Sequence, residues 1–165
     1  ALDITDIGEF TEGIAVPKYK NLNAAGDVGS NNTHVDTDYP MFRLADAYLM
    51  YVEATLRGAS GDLSLATDYV NALRLRAYGD DSGNISQADL DLGFILNERS
   101  RELYWEGTRR IDLVRFGLFT SGDYLWPWKG NVQEGRGVES FRDIFPIPSS
   151  DMIANPNLVQ NPGYY

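Results

Sequence analysis

Three glutamates recur at intervals of four residues in the middle of the sequence. They are Glu98, Glu102 and Glu106, and this spacing places their carboxylates on one face of a helix. Two carboxylates facing across an open cleft, roughly 5–9.5 Å apart, are the machinery of a glycoside hydrolase. Carboxylates at this spacing repel one another, however, and the interleaved arginines can bind them through paired hydrogen bonds. We therefore interpret this cluster as structural and assign no catalytic residue; its members are Glu98, Arg101, Glu102, Glu106, Arg109, Asp112 and Arg115.

An aromatic segment follows at residues 124–131. It carries Tyr124, Trp126, Trp128 and Asn131, with Pro127 between the two tryptophans. Indole rings stack on the apolar faces of sugars, a side-chain amide binds sugar hydroxyls, and a proline lowers the entropy lost on binding. These four residues are therefore the predicted ligand-binding site. The alternative is that both indoles are buried, as large aromatic side chains usually are.

Metal and nucleophile chemistry has little support in the sequence. One histidine and no cysteine exclude disulfides, zinc–thiolate sites and cysteine nucleophiles. His34 stands in a polar segment, and we expect it at the surface. The pairs Asp36/Asp38 and Asp80/Asp81 offer oxygen ligands for calcium but do not match the EF-hand spacing, and we interpret them as solvated turn residues. We predict no metal site and no cofactor.

The overall charge argues against two classes of partner. A formal net charge of −10 repels phosphate backbones, and no stripe of lysine or arginine offsets it, so nucleic acid is excluded as a partner. The same charge disfavours docking on anionic membranes. No apolar run approaches the roughly 20 residues of a membrane-spanning helix. Hydrophobic residues make up 43% of the chain, which is typical of a folded domain.

The elements that must position these groups are mainly helical. Apolar periodicity predicts a first helix from Tyr39-Pro40 to Gly58 and a second that ends at Gly79. A capping box at residues 86–89 predicts the start of a third helix that runs to Glu106, and a fourth helix follows. Earlier in the chain, residues 13–19 have strand character, which Pro17 restricts to a sheet edge.

These elements predict a mainly α fold. We expect one domain over residues 1–165, with strand and loop at 1–38, helices at 39–119 and irregular structure at 120–165. The helices form two packed hairpins, similar to tetratricopeptide packing, and the last segment wraps them. The prolines of that segment fix an extended path.

Two long segments resemble the SusD/RagB family. Residues 95–117 read ILNERSRELYWEGTRRIDLVRFG and match its ER–REL core, followed by EG-x-R and DL-x-R. Residues 145–164 read FPIPSSDMIANPNLVQNPGY and match its closing signature, a PIP segment that leads to NPN-L-x-QNPGY. Residues 43–54 and 71–77 give weaker support. The order is that of the C-terminal portion of the family, whose members are usually much longer.

The resemblance implies a function and a location. Members of the family are non-catalytic lipoproteins that face outward from the outer membrane at the cell surface. They bind an oligosaccharide or, in some cases, a peptide, and deliver it to a TonB-dependent, SusC-like transporter. We expect a lipid anchor on a missing N-terminal part, which would be the only membrane contact, and the main binding site can also lie in that part.

Two other functions stay open at this point. A tetratricopeptide-like adaptor would bind a second protein through an exposed apolar groove. A glycoside hydrolase would need two carboxylates free of ion pairs and facing an open cleft.

Overall fold

The described chain is helical and divides into two compact units. The computed structural model describes residues 2–16 and 18–164. Unit 1 is Ala1–Arg109 and unit 2 is Arg110–Tyr165. The α-helices are α1 (Leu44–Leu56), α2 (Leu63–Tyr78), α3 (Leu92–Glu102), α4 (Arg109–Arg115) and α5 (Ser149–Ala154). Short 3-10 turns lie at Asp81–Gly83, Gln87–Asp89, Lys129–Asn131 and Ser140–Asp143. The predicted mainly helical fold is confirmed.

The core of unit 1 lies where α1, α2 and α3 meet. Their apolar residues recur at helical spacing, so each helix turns one stripe inward. The fully buried members include Leu49 and Val52 of α1, Val70 of α2 and Ile95 of α3. Tyr48 and Tyr69 stack at the edge of this core with ring centroids 4.2 Å apart. The first predicted hairpin, α1 with α2, is therefore present. The pairing of α3 with α4 stays a prediction.

Aspartates fix the first turns of α2 and α3. The Asp62 carboxylate accepts a hydrogen bond from the amide of Ser64 (2.7 Å), and Asp91 accepts one from Phe94 (2.6 Å). Each bond satisfies an amide that has no partner inside the helix. At the other end of α2, Gly79 adopts φ 82°, a left-handed conformation that glycine tolerates best. The predicted end of the second helix is correct.

Two predicted helix starts were placed too early. The Ser86–Asp89 pair is bonded as a capping box, but it closes a 3-10 turn, and α3 begins at Leu92. The first helix begins at Leu44 instead of Tyr39. Arg43 is the N-cap residue and has the extended backbone usual there (φ −147°, ψ 158°), and its guanidinium reaches carboxylates elsewhere in unit 1, as described below.

The predicted N-terminal strand is not supported. The described residues 13–16 and 18–19 form no strand, and Pro17 lies outside the described residues. Across the described chain the only strand-like pairing is an isolated antiparallel bridge between Leu22 and Val28. Side chains satisfy the local backbone instead: the Glu12 carboxylate accepts bonds from the amides of Thr5 and Asp6. No sheet is needed to pair those groups.

Unit 2 contains α5 and a long, mostly irregular path. The sequence indicated irregular structure over 120–165 but not α5 within it. The single-domain organisation and the wrapping of the helices stay predictions. Within residues 2–16 and 18–164, no helix combines the length and apolar character required to cross a bilayer.

Candidate binding site

Unit 2 contains an open cavity of about 610 Å³, referred to below as the aromatic cavity. Its apolar wall is formed by Phe119, Trp126, Phe145 and Tyr164. Asn131 lies at its edge and is exposed. A volume of this size lies within the range of small-molecule sites.

The four predicted ligand-binding residues divide between the cavity and its support. Trp126 and Asn131 line the aromatic cavity, whereas Tyr124 and Trp128 are not among its lining residues. All three aromatic side chains are half-buried. The Tyr124 ring lies 6.4 Å from that of Trp126, and its carbonyl accepts a hydrogen bond from Lys129.

Lys129 holds the aromatic segment in place. Its side chain is buried, and its ammonium donates to the carbonyls of Leu118 (3.2 Å), Ser121 (2.5 Å) and Tyr124 (2.7 Å). The same ammonium lies 4.5 Å from the centre of the Trp126 ring, which is a cation–π distance. Burial lowers the pKa of Lys129, although the charges of Asp123 and Asp143 oppose that shift. The lysine therefore ties three loop carbonyls to one indole.

A tight turn after Trp126 depends on unusual backbone angles. Trp128, Gly130 and Asn131 all adopt positive φ, at 69°, 66° and 62°. Such angles are rare outside glycine and cluster at functional or strained positions. A Cβ on Gly130 would lie 2.7 Å from Cγ of Arg136, so the turn also needs glycine for space. Arg136 bonds back to the turn, donating from Nε to the Gly130 carbonyl at 3.0 Å.

Arg110 lies between aromatic rings at the base of the cavity. Its guanidinium carbon is 3.8 Å from the Phe145 ring centre and 4.8 Å from that of Phe119. One of its nitrogens donates to the carbonyls of Arg142 (2.9 Å) and Asp143 (3.1 Å). Guanidinium groups favour such aromatic faces. Arg110 thus joins the start of unit 2 to its 3-10 turn at Ser140–Asp143.

The last residues of the described chain complete the cavity. Tyr164 packs edge-on against Phe141 with centroids 4.8 Å apart, and its hydroxyl donates to the Ile144 carbonyl at 2.8 Å. Gly163 adopts φ 90°, and a Cβ there would lie 2.3 Å from the Phe141 ring. Only glycine fits this position.

Unit 1 contains a group of charged side chains, referred to below as the carboxylate cluster. It comprises Glu102, Glu106, Arg43, Arg76 and Lys18. Arg43 donates to both oxygens of Glu106, each at 2.7 Å, and also binds the Glu102 carboxylate. Arg76 binds Glu102 at 2.6 and 2.7 Å, and Lys18 binds Glu106. The two glutamate side chains are only 9% and 7% exposed, so these pairs are largely shielded from water.

Electrostatics in the carboxylate cluster favour the ionised acids. Burial alone would raise the pKa of Glu106, but hydrogen bonds from Arg43 and Lys18 outweigh it and lower that pKa. Burial would likewise lower the pKa of Arg43, yet its bonds to Glu106 and Glu102 raise it. A general acid needs a proton near neutral pH, so Glu106 is poorly suited to that task.

The remaining members of the predicted structural motif are also bonded. Glu98 accepts from Arg74 at 2.9 Å and from Arg101 at 2.5 Å. Arg109 donates to the Leu96 carbonyl at 2.9 Å. Asp112, which is 1% exposed, accepts from Arg115 at 2.6 Å.

Comparison with known proteins decides the family. The model of the SusD family matches residues 5–164. The chain belongs to the SusD family. It is 43% identical to the starch-binding protein SusD of Bacteroides thetaiotaomicron over 159 residues, which is 96% of this chain. It is also 32% identical to a SusD-like protein of Formosa agariphila over 165 aligned positions, which cover 95% of this chain. A crystal structure of a SusD superfamily protein from Bacteroides vulgatus aligns over 83% of this chain with a TM-score of 0.60 and 28% identity.

This SusD-family chain covers only part of its relatives. It spans 27% of the Bacteroides thetaiotaomicron protein, 29% of the Formosa agariphila protein and 31% of the crystallised Bacteroides vulgatus chain. The predicted family is confirmed, together with its helical fold.

The sequence analysis missed most of the cationic side chains of the carboxylate cluster and of the aromatic cavity. The cations that bind Glu102 and Glu106 are distant in the sequence: Arg43, Arg76 and Lys18. The neighbouring arginines were expected to bind these glutamates instead. The cationic side chains of the aromatic cavity were not anticipated either: they are Arg110, Arg136 and Arg142. For Arg142 the available signal was its position between Phe141 and Phe145.

The other candidate ligands lie in polar loops. His34 is exposed, as expected. The Asp36 carboxylate accepts from the amide and hydroxyl of Ser30, and Asp80 accepts from the amide of Ser82. Within residues 2–16 and 18–164, no three His, Cys, Asp or Glu side chains are grouped to hold a metal ion.

Proposed function

We propose that this chain is the glycan-capturing C-terminal part of a SusD-type protein and that it binds sugars without transforming them. The 43% identity to a starch-binding relative over nearly the whole chain carries the proposal. The aromatic cavity supplies a contact surface for a sugar, because Trp126 and Asn131 both line it. Tyr124 and Trp128 support the segment from which Trp126 projects.

The three carboxylates at residues 98–106 fit a binding protein better than a hydrolase. Glu102 and Glu106 are both engaged by Arg43, and Glu98 by two arginines. None of these three acids is left to activate a water molecule. Capture followed by release, rather than bond cleavage, is the role these contacts support.

The complete protein has a wider role within this proposal. It is held at the outer surface by a lipid anchor and passes its ligand to a TonB-dependent, SusC-like transporter. Family membership supports this assignment. Protease accessibility on intact cells checks the location, and co-purification of the transporter checks the partner. A protein that resists protease on intact cells and purifies without a transporter would contradict it.

Calorimetric titration of the 165-residue chain tests the capture function. Maltoheptaose and a panel of neutral and acidic oligosaccharides are titrated, and each mixture is analysed for cleavage products. We expect saturable binding with no product. Trp126→Ala should weaken binding roughly tenfold, because a stacked aromatic is worth about one to two kcal/mol. Trp105→Ala is the matched control, since Trp105 is 62% exposed and lies in unit 1.

Two outcomes would count against this function. Cleavage of any oligosaccharide would reveal an enzyme. Absence of binding to every sugar, in a chain that still unfolds cooperatively, would show that this part of the protein captures no glycan.

A further inference from the structure

The aromatic cavity contains a local excess of positive charge in an acidic protein. The whole chain has a formal net charge of −10. The cavity nevertheless presents Arg110, Lys129, Arg136 and Arg142, and Glu139 is its one acidic lining residue. The carboxylates of Asp123 and Asp143 oppose the lowering of the Lys129 pKa by burial, but neither forms an ion pair with Lys129. Three arginines against one glutamate remain around the opening.

Two of the cations are committed to holding the walls. The Lys129 ammonium donates three hydrogen bonds to loop carbonyls. Arg110 is stacked on Phe145 and donates to two carbonyls of the 3-10 turn. These contacts make a preformed floor, which lowers the ordering cost of binding.

The other two arginines keep donors free. Arg136 uses Nε for the Gly130 carbonyl, and Arg142 lies 5.1 Å from the Phe141 ring centre. Both are exposed, and neither forms an ion pair with any carboxylate among residues 2–16 and 18–164. A guanidinium with free terminal nitrogens is suited to grip a carboxylate through two parallel hydrogen bonds.

We propose that the aromatic cavity binds a carboxylated sugar. The inference rests on the proposed capture function and names its ligand class: a uronate ring stacks on Trp126 while Arg136 and Arg142 bind its carboxylate. A neutral sugar would leave these arginine donors without an anionic partner. An acidic peptide shares the negative charge, but it lacks the flat apolar ring face that matches an indole.

A pair of ligands that differ only in charge tests the inference. Trigalacturonate and its carboxyl-reduced counterpart have the same length and linkage, and both are titrated into the 165-residue chain at low ionic strength. We expect trigalacturonate to bind at least about tenfold more tightly, as one charge-assisted hydrogen bond predicts. Added salt should narrow that difference, because screening weakens exposed charge pairs.

Two arginine substitutions test where the carboxylate of the ligand binds. Arg142→Gln and Arg136→Gln should each weaken trigalacturonate binding roughly tenfold and leave the reduced trisaccharide unchanged. Lys20→Gln is the matched control, since it removes one exposed positive charge from unit 1. Triglutamate, titrated in parallel, should bind weakly.

The outcomes separate the two proposals. If neutral sugars bind and trigalacturonate binds no better, the capture function stands and the uronate assignment is wrong. Equal binding of triglutamate, or loss of trigalacturonate binding with Lys20→Gln alone, also overturns the assignment. If no sugar of either kind binds, the capture function itself has failed.

Discussion

The carboxylate cluster of unit 1 and the aromatic cavity of unit 2 use positive charge differently. In the cluster, Arg43 and Arg76 bind the carboxylates of Glu102, the last residue of α3, and Glu106, which lies beyond that helix. In the cavity, Arg110 and Lys129 bind backbone carbonyls and aromatic faces. Both arrangements are partly shielded from water, yet only the first neutralises charge with charge.

The two units differ in backbone structure as well. In unit 1, helices α1, α2 and α3 pair many carbonyls internally, and its cations bind side-chain acids, although Arg43 and Lys18 also donate to carbonyls at and just after the end of α3. Residues 116–148 contain only short 3-10 turns in unit 2, so loop carbonyls there need other donors. Lys129 and Arg110 supply them, and no carboxylate among the described residues forms an ion pair with Arg136 or Arg142. A poorly regular backbone therefore leaves cations facing a cavity.

The largest expected effect comes from Arg43→Met. This change removes the partner that Glu102 and Glu106 share, and each of these largely buried acids keeps one cation, Arg76 for Glu102 and Lys18 for Glu106. Removal of one partner from a buried pair typically costs 3–5 kcal/mol, and we expect a loss of about 4 kcal/mol in the free energy of unfolding. Urea denaturation measures it.

A second substitution shows whether the loss comes from uncompensated charge. Adding Glu106→Gln to Arg43→Met should restore part of the stability, because one buried negative charge is removed with its partner. Lys20→Met, an exposed change in the same unit, should alter stability little. A loss below about 1 kcal/mol for Arg43→Met would place the pair among ordinary surface salt bridges.

A smaller loss is expected from Lys129→Met in unit 2. Three loop carbonyls lose their donor while the side-chain volume is roughly kept. Unpaired buried polar groups cost about 1–3 kcal/mol each, and partial access to water should limit the total to about 3 kcal/mol. Urea denaturation followed by tryptophan fluorescence reports it, since Trp126 and Trp128 lie beside the lysine.

The two units should respond differently to a second, charge-neutralising substitution. Because Lys129 serves carbonyls, neutralising nearby Asp143 with Asn should not restore Lys129→Met. Recovery by Asp143→Asn would mean that a charge pair holds the loop, and the distinction between the two units would collapse.

Local sequence signals predicted the helices and two of the residues that line the candidate site. Helical spacing of residues such as Ala45, Val52 and Val70 was sufficient to identify α1 and α2, because these side chains lie on the buried face of their helix. The segment at 124–131 led to Trp126 and Asn131 because their residue types suit sugar binding. The family signatures supplied the rest of the identification.

Long-range pairing was beyond the sequence. The expected partners of Glu102 and Glu106 were neighbouring arginines, yet Arg43 and Lys18 reach them from 59 and 88 residues away. A helical wheel shows which residues share a face but not which other segment packs there. The start of α1 was also misplaced: Arg43 precedes the helix with an extended backbone, and its bonds to Glu102 and Glu106 are ones that no local pattern reveals.

Acidification provides the mildest test of the comparison. The pKa of Glu106 is lowered from its ordinary value of 4.5 because hydrogen bonds from Arg43 and Lys18 outweigh the opposing effect of burial. A lowered folded-state pKa means that the stabilisation is fully present above pH 4.5 and is lost as pH falls through the folded-state value. The free energy of unfolding should therefore decline between about pH 4.5 and the onset of acid denaturation, and Glu106→Gln should flatten this decline.

Glu139→Gln is the matched control and should keep the wild-type slope. Glu139 is an exposed glutamate of unit 2 without an ion pair among the described residues. Equal slopes for wild type and Glu106→Gln would show that the cluster in unit 1 is no more sensitive to protonation than the carbonyl-bound cations of unit 2.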